Sequence, residues 1–138
     1  MQENHSKSTS GVLRGLHYQL PPAAQDKLVR VVEGKVFDVV VDIRKNSSTL
    51  GQWTGEVLSS ENKKQIWIPV GFAHGFVTLS KVSELLYKTT NYYAPHFECC
   101  IRWDDPSLNI DWQLHGISPS LSERDMQGVD FRSIEYFV

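Results

Sequence analysis

Two histidines stand out among the residues that could do chemistry, because each lies where an apolar stretch meets a turn. His17 lies in GVLRGLHYQLPP, between glycines and a double proline, and His74 lies in IPVGFAHGF. Imidazole titrates near neutrality, so it can act as a general acid or base or ligate a metal. Each histidine alone also fits a hydrogen-bonded structural role. We expect His5, His96 and His115 to be solvated surface residues.

The elements that must position these side chains are predicted to be strands. The segments 27–32 and 35–43 are rich in β-branched residues, and Glu33-Gly34 between them predicts a hairpin turn. In KVFDVVVDI both alternating faces carry apolar side chains, which is typical of a strand inside a sandwich. Further strands are predicted over 51–58, 65–70, 75–79, 84–89 and 99–103. Ser122, in SLSERD, is predicted to cap a short helix.

Size and charge exclude several classes of protein. The 138 residues suit one domain spanning 1–138, and a net charge of -2 excludes a generally cationic nucleic-acid binder. A mean hydropathy of -0.31 without a long apolar run predicts no membrane span. Cys99 and Cys100 are neighbours without zinc-site spacing, and the N-terminus does not resemble a signal peptide. We therefore expect a reduced, cytoplasmic protein.

One histidine motif resembles that of the cupin family, whose β-sandwich commonly holds a metal. Pro69, Gly71 and His74 fit its Pro-x-Gly-x-x-His motif. The His-x-His motif is missing after His17, and Lys27 stands near the expected glutamate. A lysine is a poor neighbour for a divalent cation. The fold predicted is all-β, a cupin-type jelly-roll β-sandwich with a short helical C-terminal region, without a metal.

Longer stretches make the chain similar to the dTDP-4-dehydrorhamnose 3,5-epimerases, which act on nucleotide sugars. They are QENHSKSTSGVLRGLHYQLPPAAQDKLVRVVEGKVFDVVVDIRKNSSTLGQW, LSSENKKQIWIPVGFAHGFVTLS, ELLYKTTNYYAPHFE, IRWDDPSLNIDW and LSERD, in the family's order. The resemblance implies a dTDP-linked 4-keto-6-deoxy sugar as substrate. Its C4 ketone acidifies the hydrogens at C3 and C5, so that a base on one face and an acid on the other invert each carbon without a cofactor.

The resemblance also implies roles for individual residues. His17 matches the general base, which at an ordinary pKa of roughly 6.5 is mostly neutral at pH 7. Asp125 matches the carboxylate that orients His17, and Tyr87 matches the acid. Lys27 matches the cation that stabilises the enolate. The substrate contacts implied are Gln2, Asn4, Arg14, His74, Tyr93, Glu98 and Arg124, among which Arg14 and His74 match diphosphate contacts and Tyr93 matches the aromatic that stacks on thymine.

Three expectations stay open at this point. Family members normally carry a segment before the motif on which this chain opens, and in the homodimer that segment reaches the neighbouring subunit. The chain is therefore expected to lack a phosphate contact and part of its dimer sheet. Alternatives to epimerisation at C3 and C5 are a C3-only or other-sugar epimerase, and a truncated, inactive homologue that binds nucleotide sugar.

Overall fold

A computed structural model describes all 138 residues and contains nine strands and one α-helix. The strands are β1 (Gln2–Thr9), β2 (Leu13–Gln19), β3 (Lys27–Glu33), β4 (Lys35–Asp42), β5 (Trp53–Ser59), β6 (Gln65–Ile68), β7 (Phe72–Thr78), β8 (Val82–Thr89) and β9 (Glu98–Cys100). The helix α1 is Glu123–Met126, and short 3₁₀ turns span Pro95–Phe97 and Phe131–Ser133. No helix is long and apolar enough to cross a bilayer.

The strands form two sheets that face each other. One has four strands in the order β1-β8-β3-β6, and the other has five in the order β5-β4-β7-β2-β9. Every pairing within the sheets is antiparallel. The prediction of an all-β sandwich with a short helical C-terminal region is confirmed.

The two faces of β4 bury different cores, as its alternation predicts. Phe37, Val39 and Val41 belong to a cluster completed by Leu108 and Trp112, which cover the outer face of the five-stranded sheet. Val36 and Val40 belong to a second cluster with residues of β3, β6 and β8. The second cluster fills the space between the sheets, and the polar cavity described below opens beside it.

Two strands were not expected from the sequence. The polar segment β1 pairs along its whole length with β8, so His5 lies in a strand, where its Nε2 is 3.1 Å from Glu84 Oε1. β2 is flanked by β7 and β9 and is mostly buried. Neither strand carries regular apolar alternation. The helix is as predicted, because the Ser122 hydroxyl accepts a hydrogen bond from the Asp125 amide.

Candidate active site

An open cavity of about 580 Å³ lies between the two sheets. Its walls are mostly polar side chains from both sheets, with α1 at its rim. All eleven residues singled out in the sequence line it: Gln2, Asn4, Arg14, His17, Lys27, His74, Tyr87, Tyr93, Glu98, Arg124 and Asp125. Segments more than a hundred residues apart in the chain therefore converge on one site.

The four-stranded sheet supplies one wall through two rows of paired residues. Gln2 pairs with Thr89, which in turn pairs with Lys27. In the next row Asn4 pairs with Tyr87. Because side chains of directly paired residues share a face, Lys27 and Tyr87 both point into the cavity.

The five-stranded sheet supplies the opposite wall, and a β-bulge in β2 sets its residues. Arg14 pairs with Phe76, but His17 pairs with His74, which leaves one extra residue in β2 between these pairs. Residues three apart in a regular strand point to opposite faces. The extra residue brings the two side chains to the same face of the sheet, so Arg14 and His17 both line the cavity.

His17 and Asp125 form a close pair at the centre of this wall. His17 Nε2 lies 2.6 Å from Asp125 Oδ1, and the Gly15 amide donates to the same oxygen. The Ser122 hydroxyl donates to Asp125 Oδ2 at 2.7 Å. A side chain fixed through both oxygens can orient the imidazole and stabilise its protonated form.

The charge state of His17 differs from the one expected. Burial acts to lower the pKa of His17, but the hydrogen bond to Asp125 and the neighbouring Cys100 and Glu98 outweigh it and raise the pKa to about 10. For Asp125 burial acts to raise the pKa, but the hydrogen bonds from His17 and Ser122 outweigh it and lower the pKa to about 2. The expectation that His17 is mostly neutral at pH 7 is therefore wrong for the ligand-free protein.

Glu98 lies on the other side of the His17 ring. Cys100 pairs with His17 and Glu98 pairs with Gln19, so both side chains of β9 share the face of His17. Glu98 Oε1 is 3.1 Å from His17 Nδ1. The same oxygen accepts a hydrogen bond from Arg124 Nη2.

The Arg124 side chain connects Glu98 to Tyr93 at the rim of the cavity. Its Nη1 donates to the Tyr93 hydroxyl at 2.7 Å. Its guanidinium carbon lies 5.6 Å from the centre of the Tyr93 ring. Tyr93 is 47% exposed, so its ring can stack on a planar ligand group at the mouth of the cavity.

His74 has a carboxylate partner that the sequence reasoning missed. His74 Nε2 lies 2.7 Å from Oδ2 of Asp38, a residue with no exposed surface. Oδ1 of Asp38 has no hydrogen-bond partner. The signal available in the sequence was Asp38 itself, which alternates with Val36 and Val40 on one face of the strand KVFDVVVDI, since buried charges are rarely left unpaired.

Tyr87 and Lys27 face this wall from the other sheet. Burial raises the pKa of Tyr87, partly offset by Arg14, so the phenol keeps its proton well above neutral pH. Burial lowers the pKa of Lys27, partly offset by Glu98 and Asp38. Both the ammonium and the neutral amine can donate a hydrogen bond to an anionic oxygen.

The residues present do not fit the metal that cupins commonly hold. His17, Cys100 and Asp125 place one donor atom each within 4.8 Å of one another. Two ligands about 2 Å from a tetrahedral zinc ion would stand roughly 3.3 Å apart. His17 Nε2 and Asp125 Oδ1 are closer, at 2.6 Å, and share a hydrogen bond. This spacing suits a hydrogen bond between the two side chains better than a pair of zinc ligands.

The family model, the curated relatives and the solved structures that match this chain agree on one family. Residues 1–133 match the family model described as dTDP-4-dehydrorhamnose 3,5-epimerase. The enzyme of that name from Pseudomonas aeruginosa is 59% identical, over 99% of this chain and 75% of its own length. The crystal structure of a dTDP-6-deoxy-D-glucose-3,5-epimerase from Legionella pneumophila, in complex with dTDP-4-keto-L-rhamnose, has a TM-score of 0.94 at 52% identity. The match covers 98% of this chain and 71% of that one.

A more distant relative of known structure is named as an enzyme that epimerises a single position. A 3'-monoepimerase from Streptomyces bikiniensis, in complex with dTDP-quinovose, has a TM-score of 0.91 at 34% identity, over 96% of this chain and 66% of that one. The fold is thus shared by enzymes that differ in the carbons they invert. With the family model spanning nearly the whole sequence, this chain belongs to the dTDP-4-dehydrorhamnose 3,5-epimerase family.

Proposed function

We propose that this chain epimerises C3 and C5 of dTDP-4-dehydro-6-deoxy-D-glucose to give dTDP-4-dehydro-L-rhamnose. The observation that carries the proposal is the placement of His17, paired with Asp125, and Tyr87 on opposite walls of one cavity. A sugar ring held between the sheets presents one face to each wall. Inversion at carbon needs a base on one face and an acid on the other.

The steps follow from these positions. Neutral His17 removes the proton at C3 or C5, and the electron pair of that C–H bond delocalises into the C4 carbonyl as an enolate. An N–H of Lys27 donates to the enolate oxygen, which stabilises the charge where it develops. The Tyr87 hydroxyl then gives its proton to the same carbon from the opposite face. Solvent reprotonates the Tyr87 phenolate and takes the proton from His17.

The remaining wall residues are proposed to hold the nucleotide. Arg14 and His74 would contact the diphosphate, and Tyr93 would stack on thymine. Gln2, Asn4, Glu98 and Arg124 would make further substrate contacts. No step calls for a cofactor, because the ketone of the substrate itself stabilises the carbanion.

A deuterium exchange experiment tests the reaction. The protein is incubated with the 4-keto substrate in D₂O, and C3 and C5 are followed by NMR. We expect exchange at both carbons in the wild type, none with His17→Ala, and wild-type exchange with His115→Ala, which removes an exposed histidine that does not line the cavity. A folded protein that catalyses no exchange at high concentration would instead support the inactive homologue.

The second candidate is epimerisation at C3 alone, favoured by the likeness to the Streptomyces 3'-monoepimerase. How the ring sits between His17 and Tyr87 decides which carbons react. Exchange at C3 without exchange at C5 would select this candidate over the first. The same experiment with other nucleotide 4-keto sugars tests the sugar specificity.

We further propose a cytoplasmic homodimer. The edge strand β6 presents unpaired backbone groups with which a strand of a second chain can pair, and Trp67 on it is 57% exposed. The adjacent thiols of Cys99 and Cys100 are both free, which suits a reducing compartment. Sedimentation velocity tests the dimer, and cell fractionation tests the location.

A further inference from the structure

The nitrogen of His17 that would receive the substrate proton is covered in the ligand-free protein. Nε2 faces Asp125 at 2.6 Å, which leaves Nδ1 as the nitrogen available to a substrate. Nδ1 is shielded from water and has no aligned hydrogen-bond partner, and it lies 3.1 Å from Glu98 Oε1. A reacting carbon must come within about 3–3.5 Å of its base. The Glu98 carboxylate therefore has to move before the sugar can react.

The positive charge on His17 is a second reason why the ligand-free site cannot react. Two carboxylates flank the ring, one at each nitrogen, and both favour the imidazolium. An imidazolium cannot accept a proton, so the resting state is not the reactive one. The other ionisable groups near His17 are Cys100 on β9, His74 on β7, and Arg14, Lys27 and Tyr87 on the cavity walls. None of these side chains lies between Nδ1 and Glu98.

A chain of contacts leads from Glu98 to solvent. Arg124 donates both to Glu98 Oε1 and to the Tyr93 hydroxyl. The Glu98 side chain is 12% exposed, whereas that of Arg124 is 57% exposed. An anionic nucleotide entering the cavity therefore meets Tyr93 and Arg124 before it meets His17.

We propose that Glu98 is a gate on the catalytic base: it covers Nδ1 and keeps His17 protonated until an incoming nucleotide draws Arg124, and Glu98 with it, away from the ring. The inference rests on the proposed function, because it assigns His17 as the base. Glu98 is a positioning residue in this scheme, since it acts on the reaction through His17. When the carboxylate leaves, the proton on Nδ1 passes to water and the uncovered nitrogen faces the sugar.

The test follows the His17 imidazole by NMR titration of ¹³C-histidine-labelled protein. Glu98→Gln keeps the shape of the side chain and removes its charge. Glu123→Gln removes a carboxylate from the adjacent residue of α1 and serves as the control. We expect the His17 midpoint to fall by at least one pH unit in Glu98→Gln and to stay in place in Glu123→Gln. An unchanged midpoint in Glu98→Gln would overturn the gate.

The effect of the nucleotide is tested with dTDP, which lacks the 4-keto hexose and therefore cannot react. We expect saturating dTDP to lower the His17 midpoint in the wild type and to leave it in place in Glu98→Gln. A midpoint that rises or stays fixed in the wild type would show that nucleotide does not open the gate. These titrations need no turnover, so they remain informative if the exchange experiment on the substrate fails.

Kinetics separate a gate from a simple substrate contact. A gate predicts that the acid limb of the kcat/KM profile moves to lower pH in Glu98→Gln by the same amount as the NMR midpoint. A mere contact predicts a higher KM with the limb in place, and that outcome would contradict the proposal. Near-ultraviolet circular dichroism confirms that each variant keeps its packing.

Discussion

At the scale of single residues, the site depends on how firmly the Asp125 carboxylate is held. It accepts from His17 and the Gly15 amide at one oxygen and from Ser122 at the other. Ser122 is also the residue whose hydroxyl caps α1. The cap that begins the helix and the contact that fixes the proposed catalytic carboxylate come from the same side chain, so helix formation and site assembly are coupled.

We expect Asp125→Asn to lower kcat by about 10²–10⁴-fold, because an amide keeps the shape but cannot stabilise the imidazolium that forms. Steady-state kinetics measure the loss. Asp111→Asn, at an exposed position, is the control and should keep full activity. A loss of less than tenfold in Asp125→Asn would mean that His17 works without its carboxylate.

Replacing Tyr87 should separate two events that the wild type couples. In Tyr87→Phe, His17 can still remove a proton and return a deuteron to the same face, whereas the opposite face has no acid. Product formation should fall more than deuterium wash-in at the same carbon, as measured by NMR in D₂O. The exposed Tyr92→Phe serves as the control. Unchanged product formation in Tyr87→Phe would assign the acid elsewhere.

At the scale of elements, periodicity predicted the strands that bury apolar side chains and missed the polar ones. β4 shows the success, since its two alternating faces enter two different cores. β1 shows the failure, because QENHSKST has no apolar residue and is a strand only through its pairing with β8. Its inner face lines a polar cavity, so hydrophobic patterning carries no signal there.

The site was predicted more fully than the elements that hold it, because the motif resemblance named its residues directly. Apart from the pairing of His17 with Asp125, the resemblance did not contain the contacts between them. Asp38 beside His74 and Glu98 beside His17 depend on register between strands distant in sequence. The pKa of His17 is raised chiefly by its hydrogen bond to Asp125, with Cys100 and Glu98 adding to the effect, so the residue's ordinary value was a poor guide.

Gly15 shows how tightly β2 and β7 approach. Its φ is +130°, and a Cβ there would lie 2.6 Å from the Gly75 Cα. Because backbone cannot yield as a side chain can, we expect Gly15→Ala to lower the free energy of unfolding by about 2–4 kcal/mol. Gly116→Ala, also at positive φ but with no atom within 4 Å, isolates the clash and should cost about 1 kcal/mol. Urea denaturation measures both, and equal losses would refute the clash.

At the scale of the whole molecule, we propose that residues 1–138 unfold as one unit. Leu108, Trp112 and Ile134, from the C-terminal part, pack on the outer face of the five-stranded sheet. The inner face of the same sheet packs on the four-stranded sheet. Because one sheet carries both cores, loss of either should expose the other, and denaturation should be a single transition.

The pH dependence of the free energy of unfolding follows from the shifted pKa values of His17 and Asp125. The pKa of His17 rises from 6.5 to about 10, so its contribution is complete below pH 6.5 and is lost as the pH rises through 10. The pKa of Asp125 falls from 3.8 to about 2, so its contribution is complete above pH 3.8 and is lost as the pH falls through 2. The His17 shift corresponds to at most about 5 kcal/mol.

We therefore expect the pair to contribute most between pH 4 and 6.5 and the free energy of unfolding to decline toward pH 10. Urea titrations at several pH values measure this. In His17→Gln the decline between pH 7 and 10 should be smaller by the share that His17 contributes. An identical decline in both proteins would contradict the raised pKa.

Because of the bulge in β2, the proposed chemistry depends on the number of residues between Arg14 and His17 as well as on which residues they are. Arg14 and His17 share the cavity only because one extra residue separates their pairs with β7. A single-residue deletion between them would remove the extra residue and leave a regular strand in which the two side chains, now two apart, still share a face. A single-residue insertion that left only one residue bulged out would instead turn either Arg14 or His17 toward the opposite face, with every proposed catalytic side chain still in the sequence. Among relatives, an inserted residue at this point should therefore mark loss of the activity more reliably than a one-residue gap does.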